Sequence, residues 1–65
     1  MNLVDATLHE IERVSQLIPL YDATLNGGIA SSMTRMDIHV AHDALLEGDS
    51  VKIINAYTAL TEWKE

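Results

Sequence analysis

The stretch "LNGGIASSMTR", Leu25 to Arg35, decides how the chain is divided. Paired glycines in mid-chain suit a helix end, because glycine reaches the left-handed cap conformation without strain. Serine and threonine suit a helix start, where their hydroxyls accept from free backbone amides. On this reading Asn26-Gly27-Gly28 ends one helix, Ser32 or Thr34 caps the next, and the residues between form a connection. Thr34 and Asp37 have capping-box spacing. Arg35 is out of place at a helix start, since a cation there opposes the helix dipole. It calls for something acidic nearby: Asp37, Glu47, a partner protein or a ligand.

The segment before the break is helical over residues 3–25. Leu3, Thr7, Ile11, Val14, Ile18, Tyr21 and Leu25 recur at steps of three and four, which sets them on one face. Val4, Leu8 and Leu17 widen that face, and His9, Glu12, Arg13 and Gln16 lie opposite. Asn2 can cap the start. Pro19 removes an amide and crowds the carbonyl of Ser15, which implies a kink or a short second helix. The apolar face persists past it, which favours a kink.

After the break, residues 33–46 form a second helix. Met33, Met36, Val40, Ala41, Ala44 and Leu45 share a broad apolar face, extended by Ile38. A helix apolar over that much of its circumference packs on more than one side. Glu47-Gly48 closes it. Residues 50–63 form a third helix, capped by Asp49 or Ser50, with Ile53, Ile54, Ala56, Tyr57, Leu60 and Trp63 as its stripe. The short link makes the last two helices antiparallel neighbours. The expected fold is all-α: a three-helix, small bundle made of a long kinked helix and a helical hairpin, in one domain spanning residues 1–65.

Composition limits what such a unit can do. A domain of this size buries only ~60% of the surface of its unfolded chain. Nevertheless 48% of the 65 residues are hydrophobic and there is no cysteine to add a disulfide. Burial against a second copy or another protein resolves the conflict, so an oligomer is expected, a homodimer or larger. Ten acidic residues against four scattered cations give a net charge of −6. That balance argues against direct nucleic-acid binding, which needs clustered cations. Apolar runs are too short for a membrane span, and a cytoplasmic compartment is expected.

Three groups of residues could carry function. His39, His42 and Asp43 have helical spacing that can share a metal, with His9 as a further ligand, but the set is incomplete and no metal or cofactor is assigned. Gly27, Gly28, Ser31, Ser32, Thr34 and Arg35 hold the chemistry of a small phosphate or nucleotide site: close-approach glycines, hydroxyl donors and a forked cation. The third group is apolar. Tyr21, Met33, Met36, Val40, Tyr57 and Trp63 are of types favoured at interfaces. No nucleophile–base arrangement stands out, and capping accounts for the serines, so enzyme activity is not expected. The leading expectation is an interaction protein that occludes or bridges a partner. In size and style it resembles the accessory and inhibitor proteins of bacteriophages and mobile elements. The other expectation is an oligomer that sequesters a small phosphorylated ligand at Gly27–Arg35.

Overall fold

The computed structural model describes residues 2–24 and 27–64. The order is α1 (Leu3–Ser15), α2 (Ile18–Asp22), α3 (Gly27–Glu47) and α4 (Ser50–Thr61), so the described residues are all-α. None of these helices is long and apolar enough to cross a membrane.

Local chemistry sets most of the boundaries. The Asp5 amide donates to Asn2 Oδ1 at 2.8 Å, which satisfies one free amide at the start of α1. The helix stops at Ser15, the residue whose carbonyl the Pro19 ring would crowd. Gln16 and Leu17 turn the chain, and a new helix starts with Pro19 in its first turn, where no amide is needed. The proline therefore splits the segment into two helices instead of kinking one. The apolar face still carries across, with Leu17 buried and Ile18 and Tyr21 half-buried. Leu25, expected to close that face, and Asn26, expected to end the helix, lie outside the described residues.

The largest correction falls on the stretch that opened the argument. Gly27 to Arg35 is not a connection but the first nine residues of α3, a helix of 21 residues. Ser32 and Thr34 cap nothing. The reason lies in packing. Ser31 and Thr34 are buried, and with Ile38, Ala41 and Leu45 they form a seam at alternating steps of three and four. Thr34 Oγ1 donates to the carbonyl of Ala30 at 2.7 Å, which satisfies its hydroxyl without leaving the helix. Small hydroxyl residues thus serve as core, and burial along the seam outweighs the weak helix propensity of glycine and serine.

The core is one cluster drawn from three helices: Ile11 and Val14 of α1, Ala41 and Ala44 of α3, and Ile53, Ala56 and Leu60 of α4. Helices α1, α2 and α4 all pack on α3, and α1 also packs on α4. The α3–α4 hairpin closes as expected. Gly48 takes φ +71° and its amide bonds the carbonyl of Ala44 at 3.0 Å. Asp49 then caps α4 by accepting from the amides of Val51 and Lys52 at 3.0 and 3.3 Å.

Two glycine substitutions separate helix from connection. Gly28 lies inside α3 with open space where a Cβ would go, so Gly28→Ala is expected to stabilise by about 0.5 kcal/mol. Gly48→Ala meets no clash but must hold a left-handed backbone, so it is expected to destabilise by about 1 kcal/mol. Urea unfolding midpoints measure both; a destabilising Gly28→Ala would contradict a helix starting at Gly27.

Candidate interaction surface

The Gly27–Arg35 segment does not gather its polar groups. Ser31 and Thr34 point into the core, and Ser32 is exposed. Arg35 Nε donates to Ser31 Oγ at 3.2 Å, and its Nη2 lies 3.4 Å from Asp22 Oδ2 on α2. Arg35 therefore sits in the third turn of α3, clear of the amides at the helix start, and its acidic neighbour is Asp22, not Asp37 or Glu47. Ser31 and Arg35 bond each other while Thr34 turns into the core and Ser32 into solvent, so the four do not converge on one point as a phosphate cradle requires. Gly27 and Gly28 form part of the first helical turn, remote from the guanidinium.

The interface candidates fall into two sets. Tyr21 and Trp63 are occupied within the chain. Their rings lie 5.7 Å apart at 53°. Tyr21 Oη donates to the carbonyl of Lys64 at 2.6 Å, and Trp63 Nε1 donates to Asp37 Oδ2 at 2.7 Å. Arg13 completes this lock. Its Nη1 and Nη2 donate to the carbonyls of Trp63 and Leu60 at 2.9 and 3.1 Å, at the C-terminal end of α4. Its Nε donates to Glu10 at 2.7 Å. The bond to Glu10 raises the guanidinium pKa above its ordinary value, against the opposing pull of desolvation. Trp63 is half-buried and anchors the end of α4 to α1 and α3. Tyr57 is half-buried.

Met33, Met36 and Val40 behave differently. They were expected to share one face with Ala41, Ala44 and Leu45, but the buried seam lies around the helix from them. All three are exposed, Met36 to 67%, and Ile29 joins them at 70%. These four recur at steps of four, three and four, so they make one outward stripe along α3. The sequence reading missed Ile29 because it placed that residue in a connection. Beside Val40 the stripe runs into an open groove of about 380 Å³ between α3 and α4, floored by Ala44, Ala56 and Ala59. Its rim carries Asp43, Glu47 and Lys52. Lys52 Nζ holds Glu47 at 3.1 Å, which raises the ammonium pKa above its usual range. Asp43 meets the exposed His39 at 3.4 Å.

No group of three His, Cys, Asp or Glu that could hold a metal occurs among the described residues. His39 and Asp43 pair on the outer surface of α3 without a third ligand. Among the described residues no buried side-chain polar atom lacks a partner, so the interior offers no spare group for a ligand. No family model matches the chain, and neither a curated protein nor a solved structure matches it.

The Trp63–Asp37 bond is open to direct measurement, because Trp63 is the sole tryptophan. Asp37→Ala is expected to cost about 1.5–3 kcal/mol, the usual range for a hydrogen bond to a charged group. Tryptophan emission should shift to longer wavelength as the indole loosens. Unchanged emission and an unchanged unfolding midpoint would show that the bond does not hold the end of α4.

Proposed function

We propose that this chain is a non-enzymatic interaction protein, one that acts by covering a surface of another protein as accessory and inhibitor proteins do. The observation that carries the reading is the second apolar face of α3. Its first face is spent on the core, while Ile29, Met33, Met36 and Val40 stand in solvent and adjoin a groove floored by alanines. Contiguous apolar surface on a small domain marks a docking site more often than chance. Methionine suits such a site because it adapts to irregular partners.

Charge narrows the partner for the groove. Three of the four cations are engaged within the chain: Arg13 with Glu10, Arg35 with Asp22 and Lys52 with Glu47. The remaining carboxylates keep the surface negative, and Asp43 stands on the groove rim itself. Alanines on both walls let a third backbone approach closely. An amphipathic helix with an apolar ridge flanked by Lys or Arg fits that surface, by the helix-in-groove mode of recognition. Such an occupant would lie along α3 and α4 with its cations over Asp43. The protein would then act by occupancy, hiding the basic helix from its other partners.

A peptide pair tests this. Both peptides carry leucines at i, i+4 and i+7; one has lysines flanking the ridge and the other glutamates. Titration followed by amide chemical shifts should place the lysine peptide on Val40, Ala44, Ala56 and Ala59. Asp43→Lys should weaken it by about tenfold, a typical loss for one desolvated charge contact. Equal binding of both peptides, or binding away from the groove, would remove the charge argument.

A further inference from the structure

The apolar stripe on α3 reads the same in both directions. Ile29, Met33, Met36 and Val40 follow at steps of four, three and four. Rotating the helix by a half-turn about an axis between Met33 and Met36 maps Ile29 onto Val40 and Met33 onto Met36. We propose that this stripe docks on the same stripe of a second copy, with the two α3 helices antiparallel. The inference rests on reading the outer face of α3 as a docking surface. It leaves the groove floor at Ala44, Ala56 and Ala59 uncovered but engages Val40 and Asp43 at its edge, so the second copy and a groove peptide compete for those two residues.

Four features support a second copy as the occupant. The alternation of three and four residues is the spacing that two helices need to interlock along a seam. Ends of the stripe carry β-branched side chains and its centre carries methionines, so the flexible pair meets at the crossing point, where fit is most demanding. All four residues are exposed in the single chain, so nothing must move to open the face. Finally, charge selects the antiparallel order. Asp43 and Glu47 continue the stripe beyond Val40 on nearly the same face. In a parallel pair each would oppose its own copy. In the antiparallel pair the two Asp43 carboxylates lie about 25 Å apart along the axis, from a rise of 1.5 Å per residue. That is about three Debye lengths at physiological salt. Each Asp43 also falls beside the first turn of the other α3, whose dipole is positive and which carries no acidic residue of its own. The net charge of −6 per chain opposes association. The antiparallel order is the one that lowers this cost at the contact.

The interface is narrow, four side chains from each copy over about 16 Å of helix. Association is therefore expected in the micromolar range, as for small interfaces generally. Sedimentation equilibrium of the full chain from one to several hundred micromolar should show monomer and dimer. Met36→Asp should raise the dissociation constant by about a hundredfold or more, as a central apolar contact does, while helical circular dichroism is retained. Ile54→Asp, also exposed but on α4, should leave the dimer intact. Orientation is read separately. The chain has no cysteine, so a double variant Ile29→Cys/Val40→Cys has only those two thiols, too far apart along one helix to join each other. Oxidation should link position 29 of one copy to position 40 of the other. A chain that stays monomeric throughout, a dimer indifferent to Met36→Asp, or links joining 29 to 29 and 40 to 40 would each overturn the proposal. If the lysine peptide binds a chain that never dimerises, the groove reading stands and this one falls. If the dimer forms and no peptide binds, the reverse holds.

Discussion

Every other helix leans on α3, and it does so along a seam of small side chains. Ser31, Thr34, Ala41 and Ala44 let α1, α2 and α4 come close to one rod in a chain with little to bury. A bulky residue at Thr34 would hold its neighbours apart, and a polar one without an internal partner would carry an unsatisfied group into the core. Threonine avoids both by returning its hydroxyl to the carbonyl one turn back. Thr7 does the same on α1, donating to Leu3 at 2.8 Å. The small groups on α3 thus pack against the larger Ile11 and Val14 of α1 and Ile53 and Leu60 of α4.

The polar contacts then fix the ends. Arg13 reaches the carbonyls at the end of α4, where cationic donors suit both the free acceptors and the dipole. Trp63 and Tyr21 pack there with tilted rings, and Asp37 holds the indole. At the other end Arg35 tethers α2 through Asp22, a long and exposed pair that adds little stability by itself. Arg13, Arg35 and Lys52 thus serve the fold, which leaves a negative surface around the apolar face of α3.

That face carries the proposed function. A helix surrounded by neighbours on all sides would be apolar throughout and silent. α3 is enclosed on one side only, yet its outer side keeps Ile29, Met33, Met36 and Val40. The same helix therefore serves as the internal support and as the exposed edge. A change on the outer stripe would test the proposed association without disturbing the seam, because the two sets of side chains lie on separate arcs of the circumference.

The sequence alone determined the all-α class, the stripe Leu3–Thr7–Ile11–Val14, the closing turn at Gly48 and a cap at Asp49 or Ser50, because these depend on neighbours within a few residues; the structure gives the cap to Asp49. It also identified Met33, Met36 and Val40 as interface types. Three matters were decided only by the tertiary structure. The segment from Gly27 to Arg35 is helical because the other helices bury Ser31 and Thr34, a gain that no local propensity records. Pro19 divides the first segment because the break falls ahead of it, where the turn at Gln16 and Leu17 keeps the apolar face inward. The broad face of the second segment resolved into two arcs, seam and stripe, and the Trp63 indole bonds Asp37. A hydrophobic pattern says which residues avoid water. Which of them a small chain can cover depends on how many neighbours fit around one helix, and that is a property of the assembled fold.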